Sequence, residues 1–132
     1  MDFFTLAFLL GRLFLGGYFL FNGVMHFVQI KQMIGYAASK SVPIAPVSVP
    51  LASFLIVVGG AGVLLGVYPE WSLLALAVFM IPVTLYMHPF WKVTDPNERR
   101  ISRIQFLKNV ALLGAILMLL SVPAPWSFSL LP

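Results

Sequence analysis

The 132-residue chain contains no cysteine and few charged residues. The absence of cysteine excludes disulfides, thiolate metal sites and cysteine nucleophiles. Charged residues make up 9% of the chain, against about 25% in an average soluble domain. Hydrophobic residues make up 61%, and the mean hydropathy is +0.99. So few polar side chains cannot cover a surface in water, and we therefore interpret the chain as an integral membrane protein.

Acidic residues are absent from the long apolar stretches, which excludes an intramembrane proton relay built on carboxylates. No glycine-rich phosphate loop occurs either. No basic segment precedes the first apolar stretch, and Arg12 interrupts it, so we expect a retained helix and not a signal peptide. The chain has a net charge of +4, and its basic residues lie beside the apolar stretches, where they set topology. The charge therefore predicts no nucleic-acid partner.

Four stretches are close to the roughly 20 apolar residues that a membrane-spanning helix needs. They cover residues 3–30, 47–67, 71–88 and 104–122. We therefore predict an all-α membrane protein with one domain over residues 1–132, a four-helix transmembrane bundle made of two hairpins in the same orientation. Tyr68 and Pro69 predict a tight turn between the second and third spans. The segment DPNE predicts that the fourth helix begins near Pro96.

Seven of the eight cations lie in or next to the connections that follow the first and third spans. By the positive-inside rule these basic connections face the cytoplasm, and both termini lie outside. Aromatic residues concentrate at membrane interfaces, so we expect Tyr68, Trp71 and Trp126 to form an outer aromatic belt.

Polar or ionisable residues inside a span cost free energy unless they are paired or hydrated, which makes each a candidate for function. The spans contain seven such candidates for cofactor binding: Arg12, Asn22, His26, His88, Gln105, Lys108 and Asn109. Asn22 and His26 share one helix face because they are four residues apart. The ends of the first and third spans and the start of the fourth meet at the same membrane boundary. We therefore expect the two histidines, Gln105, Lys108 and Asn109 to form a half-buried polar site there.

Three interpretations of this polar site stay open. Imidazole and amide groups can hydrogen-bond the carbonyl of a quinone, and apolar walls suit its prenyl tail. Two axial imidazoles can also hold a haem b, which is the least favoured interpretation. Alternatively, the polar groups only satisfy one another and fix helix packing. No other metal site is predicted.

Arg12 lies apart from this group, in the half of the first span nearer the N-terminus. We expect it either to extend outward to the headgroups or to pair with Glu70, and its functional alternative is an anion or headgroup site. Glycines in the first span should permit close helix approach, as should the segment GGAG in the second span. They are Gly11, Gly16, Gly17 and Gly23.

Four segments in register carry a family resemblance: FNGVMHF, GGAGVLLGVYP, MHPFW and FLKNVALLGAILM. Together they resemble the DoxX family of small bacterial four-helix membrane proteins over essentially the whole chain. The family's recurrent polar residues fall on Arg12, Asn22, His26, His88, Lys108 and Asn109. Many relatives carry a glutamate three residues before the paired glycines, where this chain has Ile56, so any acid that balances Arg12 in them is missing here.

The resemblance implies a multi-pass protein of the bacterial cytoplasmic membrane. It further implies a small accessory subunit of a respiratory or redox complex, with partner subunits in the bilayer and quinone as the candidate ligand. The chain has no catalytic motif of its own, so it is at most a subunit of a quinone oxidoreductase. Two alternatives are a purely structural or assembly subunit and a carrier for a small lipophilic or anionic molecule.

Overall fold

A computed structural model describes residues 1–131 as an all-helical protein. The helices are α1 (Phe3–Val28), α2 (Ile30–Ser39), α3 (Ala45–Leu65), α4 (Pro69–Met87) and α5 (Pro96–Leu119), with a 3₁₀ helix at Phe90–Lys92. All but α2 and the 3₁₀ helix are long and apolar enough to cross a membrane. No strand occurs in this described part of the chain. The predicted all-α membrane fold with four spans is confirmed.

The four long helices follow one another around the bundle in the order α1, α3, α4, α5. Close backbone packing joins α1 to α3, α3 to α4 and α4 to α5. One hydrophobic core draws a buried side chain from each of them, including Phe19, Ile56, Leu76 and Ile116. Helices α1 and α5 are not joined by comparable packing, so the bundle is least tightly packed between them.

Glycines allow α1 and α3 to cross backbone against backbone. A Cβ atom added at Gly60 would lie 2.5 Å from the backbone nitrogen of Leu20, and one at Gly16 would lie 2.6 Å from that of Leu64. Neither position therefore accepts a side chain without moving a helix. The predicted close approach is confirmed here, but it is wrong for two residues that have open space beside them: Gly11 and Gly17.

The glycines of α3 also serve its other neighbour. A Cβ atom at Gly59 would lie 2.7 Å from the side chain of Leu76 in α4, and one at Gly62 would clash with Ser72. Small residues on both faces let α3 pack closely between α1 and α4. The packing role predicted for GGAG is confirmed.

Helix α2 was not predicted, because the first apolar stretch runs on to residue 30 and residues 31–46 were assigned to a connection. Its apolar residues recur at the spacing of one helix face: Ile30, Met33, Ile34 and Ala37. Ala37 is buried against Ala45 and Val49 at the start of α3. The helix is thus an amphipathic cover on the end of the bundle that carries the basic connections, here called the basic end.

The helix boundaries agree with local signals that are visible in the sequence. Asp95 precedes α5 and its carboxylate accepts a hydrogen bond of 3.0 Å from the backbone N–H of Glu98, while Pro96 is the first helical residue. The predicted start of the fourth helix is confirmed. Helix α3 ends at Gly66, whose φ of +69° suits glycine, and α4 begins three residues later. The predicted tight turn is therefore also confirmed.

The segment after α5 folds back over the bundle at the end opposite the basic end, which we call the terminal end. Trp126 in this segment is only 3% exposed and contacts the edge of the Phe8 ring at 5.1 Å between centroids. Its indole N–H donates to the carbonyl of Val122 at 3.3 Å. The prediction that Trp126 belongs to an interfacial belt is wrong, because the returning segment buries it, whereas Tyr68 and Trp71 are exposed.

Candidate functional site

Five of the seven polar residues named from the sequence line one cavity of about 200 Å³ at the basic end. They come from α1, α5 and the end of α4: Asn22, His26, His88, Lys108 and Asn109. Helix α2 adds Met33 and Tyr36, and the central helices add apolar side chains that include Ile56 and Phe79. We call this space the polar cavity. No carboxylate lines it, so Lys108 has no acidic partner in its wall.

His88 reaches the polar cavity because the chain leaves the helix at that residue. A proline disfavours helical geometry in the residue before it, and α4 accordingly ends one residue before His88. Pro89 has φ −80° and ψ 70°, an inverse γ-turn in which the Phe90 N–H donates to the His88 carbonyl at 2.9 Å. The Phe90 ring then packs edge-on against Phe106 of α5 at 5.3 Å. This contact holds the turn against α5, the helix that carries Lys108 and Asn109.

Three of the polar side chains in this cavity have no hydrogen-bond partner within residues 1–131: His88, Lys108 and Asn109. Asn109 is only 8% exposed, yet the described residues include no fully enclosed polar atom without a partner. Its amide therefore remains reachable from the cavity. Polar groups that served only to join helices would bond one another. These do not.

His26 does have a hydrogen-bond partner, and this partner was not among the candidate residues. Its Nδ1 atom lies 3.3 Å from the hydroxyl oxygen of Ser53, a fully buried residue of α3. The Ser53 hydroxyl also donates to the carbonyl of Val49 at 2.7 Å. The signal available in the sequence was a serine well inside the second span.

The remaining α1 and α5 candidates differ in position. Asn22 lines the polar cavity, and its amide nitrogen donates to the Tyr18 carbonyl one turn earlier at 2.7 Å. That bond leaves the amide oxygen of Asn22 as an acceptor. Gln105 is half-buried on α5 but is not part of the cavity lining. The structure therefore does not bring Gln105 together with the other polar residues.

A second, apolar cavity of about 150 Å³ adjoins the polar cavity. It is enclosed by α2, α3 and α4, and its wall includes Ala37, Val49 and Pro82. The two cavities share five lining residues: His26, Met33, Phe79, Val83 and Met87. A polar compartment and an apolar compartment are thus separated by a thin partition that contains His26.

Arg12 lies at the terminal end and is committed to the backbone. It is 5% exposed, and its Nε, Nη1 and Nη2 atoms donate to the carbonyls of Val63 (3.1 Å), Ser127 (2.5 Å) and Leu64 (3.0 Å). Its guanidinium carbon also lies 5.8 Å from the centre of the Trp126 ring. The predictions that Arg12 extends outward or pairs with Glu70 are wrong. Its guanidinium instead donates to carbonyls of the last turn of α3 and of the segment that folds back after α5. We therefore leave Arg12 out of the binding site.

Ile56 bears on the supposed partner of Arg12. It lines the polar cavity and is almost fully buried, and it precedes Val63 by seven residues, or about 10 Å along α3. A carboxylate at this position would face the polar cavity and not Arg12. The supposed balance between that acid and Arg12 does not fit this structure.

Comparison with known proteins gives one match. A model of the DoxX family matches residues 7–89, a range that includes Arg12, Asn22, His26 and His88. No curated protein and no solved structure matches the chain. Within residues 1–131, no group of three or more histidine, cysteine or acidic residues is arranged to hold a metal ion.

Proposed function

Because the matched range covers more than half of the chain, the protein belongs to the DoxX family, and we propose that it is a small accessory subunit of a respiratory or redox membrane complex that binds a quinone headgroup in the polar cavity. The resemblance seen in the sequence is thus confirmed at the level of the family. The four spans make it a multi-pass membrane protein. The proposal adds a quinone as the ligand and a respiratory or redox complex as the assembly to which the protein belongs.

One observation carries the proposal: polar side chains from three helices line a single cavity without hydrogen-bonding one another. His88, Asn109 and Lys108 can all donate to the oxygens of a quinone headgroup, and Lys108 also stabilises negative charge there. The quinone, when bound, supplies the electron-carrying chemistry. The residues of this chain bind and orient its headgroup, and a partner subunit supplies the electrons.

The size of the cavities supports a headgroup site. Pockets for whole drug-sized ligands usually measure about 300–1,000 Å³. The polar cavity, at about 200 Å³, is smaller than this and suits a headgroup alone. The adjoining apolar cavity and the bilayer beside α1 and α5 offer room for an apolar tail.

The distribution of charge supports a particular orientation in the membrane. We propose that the basic end faces the cytoplasm of a bacterial cell and that both termini lie outside. Lys108 lies twelve residues after Pro96, or about 18 Å along α5. In this orientation the polar cavity opens below the cytoplasmic headgroups, at a depth that a membrane-dissolved quinone reaches.

Quinone extraction from the purified protein tests the binding site. Protein purified in mild detergent from quinone-containing membranes should carry stoichiometric quinone, and the His26→Ala and His88→Ala variants should lose most of it. Gln105→Ala is the matched control, because it removes a polar side chain of α5 that does not line the cavity. The control should keep its quinone.

Other outcomes point to other functions. Wild-type protein without quinone that copurifies with a large complex would indicate a purely structural subunit. Uptake of a lipophilic or anionic solute into vesicles that contain this protein alone would indicate a carrier. Equal loss of quinone from the Gln105→Ala control would show that the histidine variants act through folding.

A further inference from the structure

The hydrogen bonds of Ser53 determine which nitrogen of His26 carries its proton. A serine hydroxyl has one proton to donate, and the 2.7 Å contact with the Val49 carbonyl is the shorter of its two contacts. Towards His26, the Ser53 oxygen is therefore an acceptor. A neutral imidazole that donates from Nδ1 has a lone pair on Nε2.

The Nε2 atom of His26 is free to accept a hydrogen bond. It has no hydrogen-bond partner among the described residues, where no fully enclosed polar atom lacks a partner. Nε2 is therefore not fully enclosed, and His26 lines both cavities. The imidazole thus presents an acceptor at the partition between the polar and apolar cavities.

We infer that the polar cavity prefers the hydroxyl-bearing, reduced form of its ligand headgroup, because His26 accepts a hydrogen bond through Nε2 from a hydroxyl that a carbonyl form lacks. This inference rests on the proposed quinone site. Ser53 is a positioning residue, since it acts only by fixing the proton of His26 on Nδ1. The other end of the headgroup meets donors, namely Lys108 and the amide of Asn109.

A binding comparison under anaerobic conditions tests the preference. The probes are decylubiquinone and its hydroquinone, titrated into the purified full-length protein. Leaving the buried imidazole acceptor unpaired should weaken binding of the oxidised form, so the hydroquinone should bind roughly tenfold more tightly or better. Ser53→Ala should bring the ratio of the two affinities close to unity, and Ser53→Thr should restore it.

The Thr84→Val variant is the matched control for Ser53→Ala. Thr84 is a buried residue of α4 whose hydroxyl also donates to a carbonyl one turn earlier, that of Met80 at 2.6 Å, but it lines neither cavity. Its loss should leave the preference unchanged. A control that abolishes the preference would assign the Ser53 effect to helix packing and overturn the inference.

Nitrogen NMR of the imidazole gives a readout that needs no ligand. The chain has only two histidines, so the His88→Gln variant leaves the signals of His26 alone. The neutral ring should show a protonated Nδ1 and a bare Nε2, and Ser53→Ala should mix the two tautomers. A ring protonated on Nε2 would overturn the inference even if quinone binds.

The results separate the inference from the proposed function. Equal or tighter binding of the oxidised probe overturns the preference for a hydroxyl but leaves the quinone site in place. Failure of both probes to bind, with the Nδ1 tautomer present, removes the quinone site. In that event the inference about the ligand falls with it.

Discussion

The polar side chains at the two ends of this protein differ in whether they have hydrogen-bond partners. At the terminal end, the carbonyls of the last turn of α3 are all bonded: Val63 and Leu64 to Arg12, and Leu65 to the backbone N–H of Leu130. The hydroxyl of Ser129 donates to the carbonyl of Gly66. At the basic end, His88, Lys108 and Asn109 have no such partners among the described residues.

The difference fits a structural role at the terminal end and the proposed binding role at the basic end. The last carbonyls of a helix lack partners within the helix, and its C-terminus carries a partial negative charge. Arg12 satisfies both needs and ties α1 to α3 and to the returning segment. Leaving polar groups unpaired in a membrane costs free energy. This cost is the reason for proposing a ligand in the cavity that these groups line.

Removal of Arg12 should give the largest loss of stability. Arg12→Met deletes three charge-assisted hydrogen bonds and leaves buried carbonyls unpaired, which we expect to cost about 3–5 kcal/mol of unfolding free energy. Unfolding in detergent, monitored by circular dichroism, measures it. Arg103→Met, which removes an exposed cation of α5, should change little.

The conservative variant Arg12→Lys sharpens the test. Lysine keeps the charge but has one nitrogen, which cannot reach three carbonyls in different directions. We expect it to recover only part of the lost stability. Wild-type stability in this variant would show that charge alone matters and would remove the argument from the hydrogen bonds.

A smaller effect should result from widening the contact between α1 and α3. Gly60→Ala places a Cβ atom 2.5 Å from the backbone of Leu20, so the helices must separate, and we expect a cost of about 1–3 kcal/mol. Gly17→Ala is the matched control, since nothing lies within 4 Å of its added Cβ atom. Alanine there should be neutral or stabilise by up to about 1 kcal/mol, because glycine is the poorer helix former. Equal losses in the two variants would contradict the assigned crossing.

Changes at the basic end should affect binding more than stability. Asn109→Leu replaces an amide that has no partner among the described residues with an apolar side chain of similar size. We expect unfolding free energy to change by less than about 1 kcal/mol, or to rise, while bound quinone is lost. The measurements are detergent unfolding and quinone extraction on the same sample. A loss of stability as large as that of Arg12→Met would mean that Asn109 is a structural residue after all.

Much of the architecture could be predicted because the bilayer imposes simple demands on sequence. Long apolar stretches indicated the four spans, and the residues Asp95 and Pro96 marked the start of α5. The same demands made His26, His88 and Asn109 conspicuous as costly polar residues. Topology then grouped the histidines with Lys108. Whether that group binds a ligand remains a prediction.

The features that sequence reasoning missed share a physical cause: none needed a conspicuous side chain. The acceptors of Arg12 are backbone carbonyls, which every residue possesses, so no pattern marks them. Ser53 escaped notice because a serine in a helix satisfies its hydroxyl on its own backbone, which makes its burial cheap. Helix α2 is ten residues long, too short for a search directed at membrane spans.

The smallest expected effect concerns the partners of Arg12, which are either backbone carbonyls or a carboxylate. Hydrogen exchange measured as the pH is lowered distinguishes the two. A hydrogen bond from the Thr5 backbone N–H lowers the pKa of Asp2, the exposed residue that caps α1. Because the pKa is lowered in the folded state, this cap stabilises the helix above the unfolded pKa and is lost as the pH falls through the folded value, below about pH 4. The protection of the Thr5 amide from hydrogen exchange, expressed relative to its intrinsic exchange rate at each pH, should therefore fall in acid.

The Arg12 cluster should resist the same change of pH. Its acceptors are carbonyls, which do not titrate in this range, whereas an ion pair with a carboxylate would be lost in acid. Exchange of the Leu130 amide, which bonds the Leu65 carbonyl beside Arg12, reports on the cluster. The Leu130 amide should stay protected from exchange at a pH where the Thr5 amide has already lost its protection. Loss of protection of both amides at the same pH would indicate that a carboxylate bonds Arg12 at the terminal end. The statement that backbone carbonyls satisfy Arg12 there, in contrast to the unpaired groups of the basic end, would then be wrong.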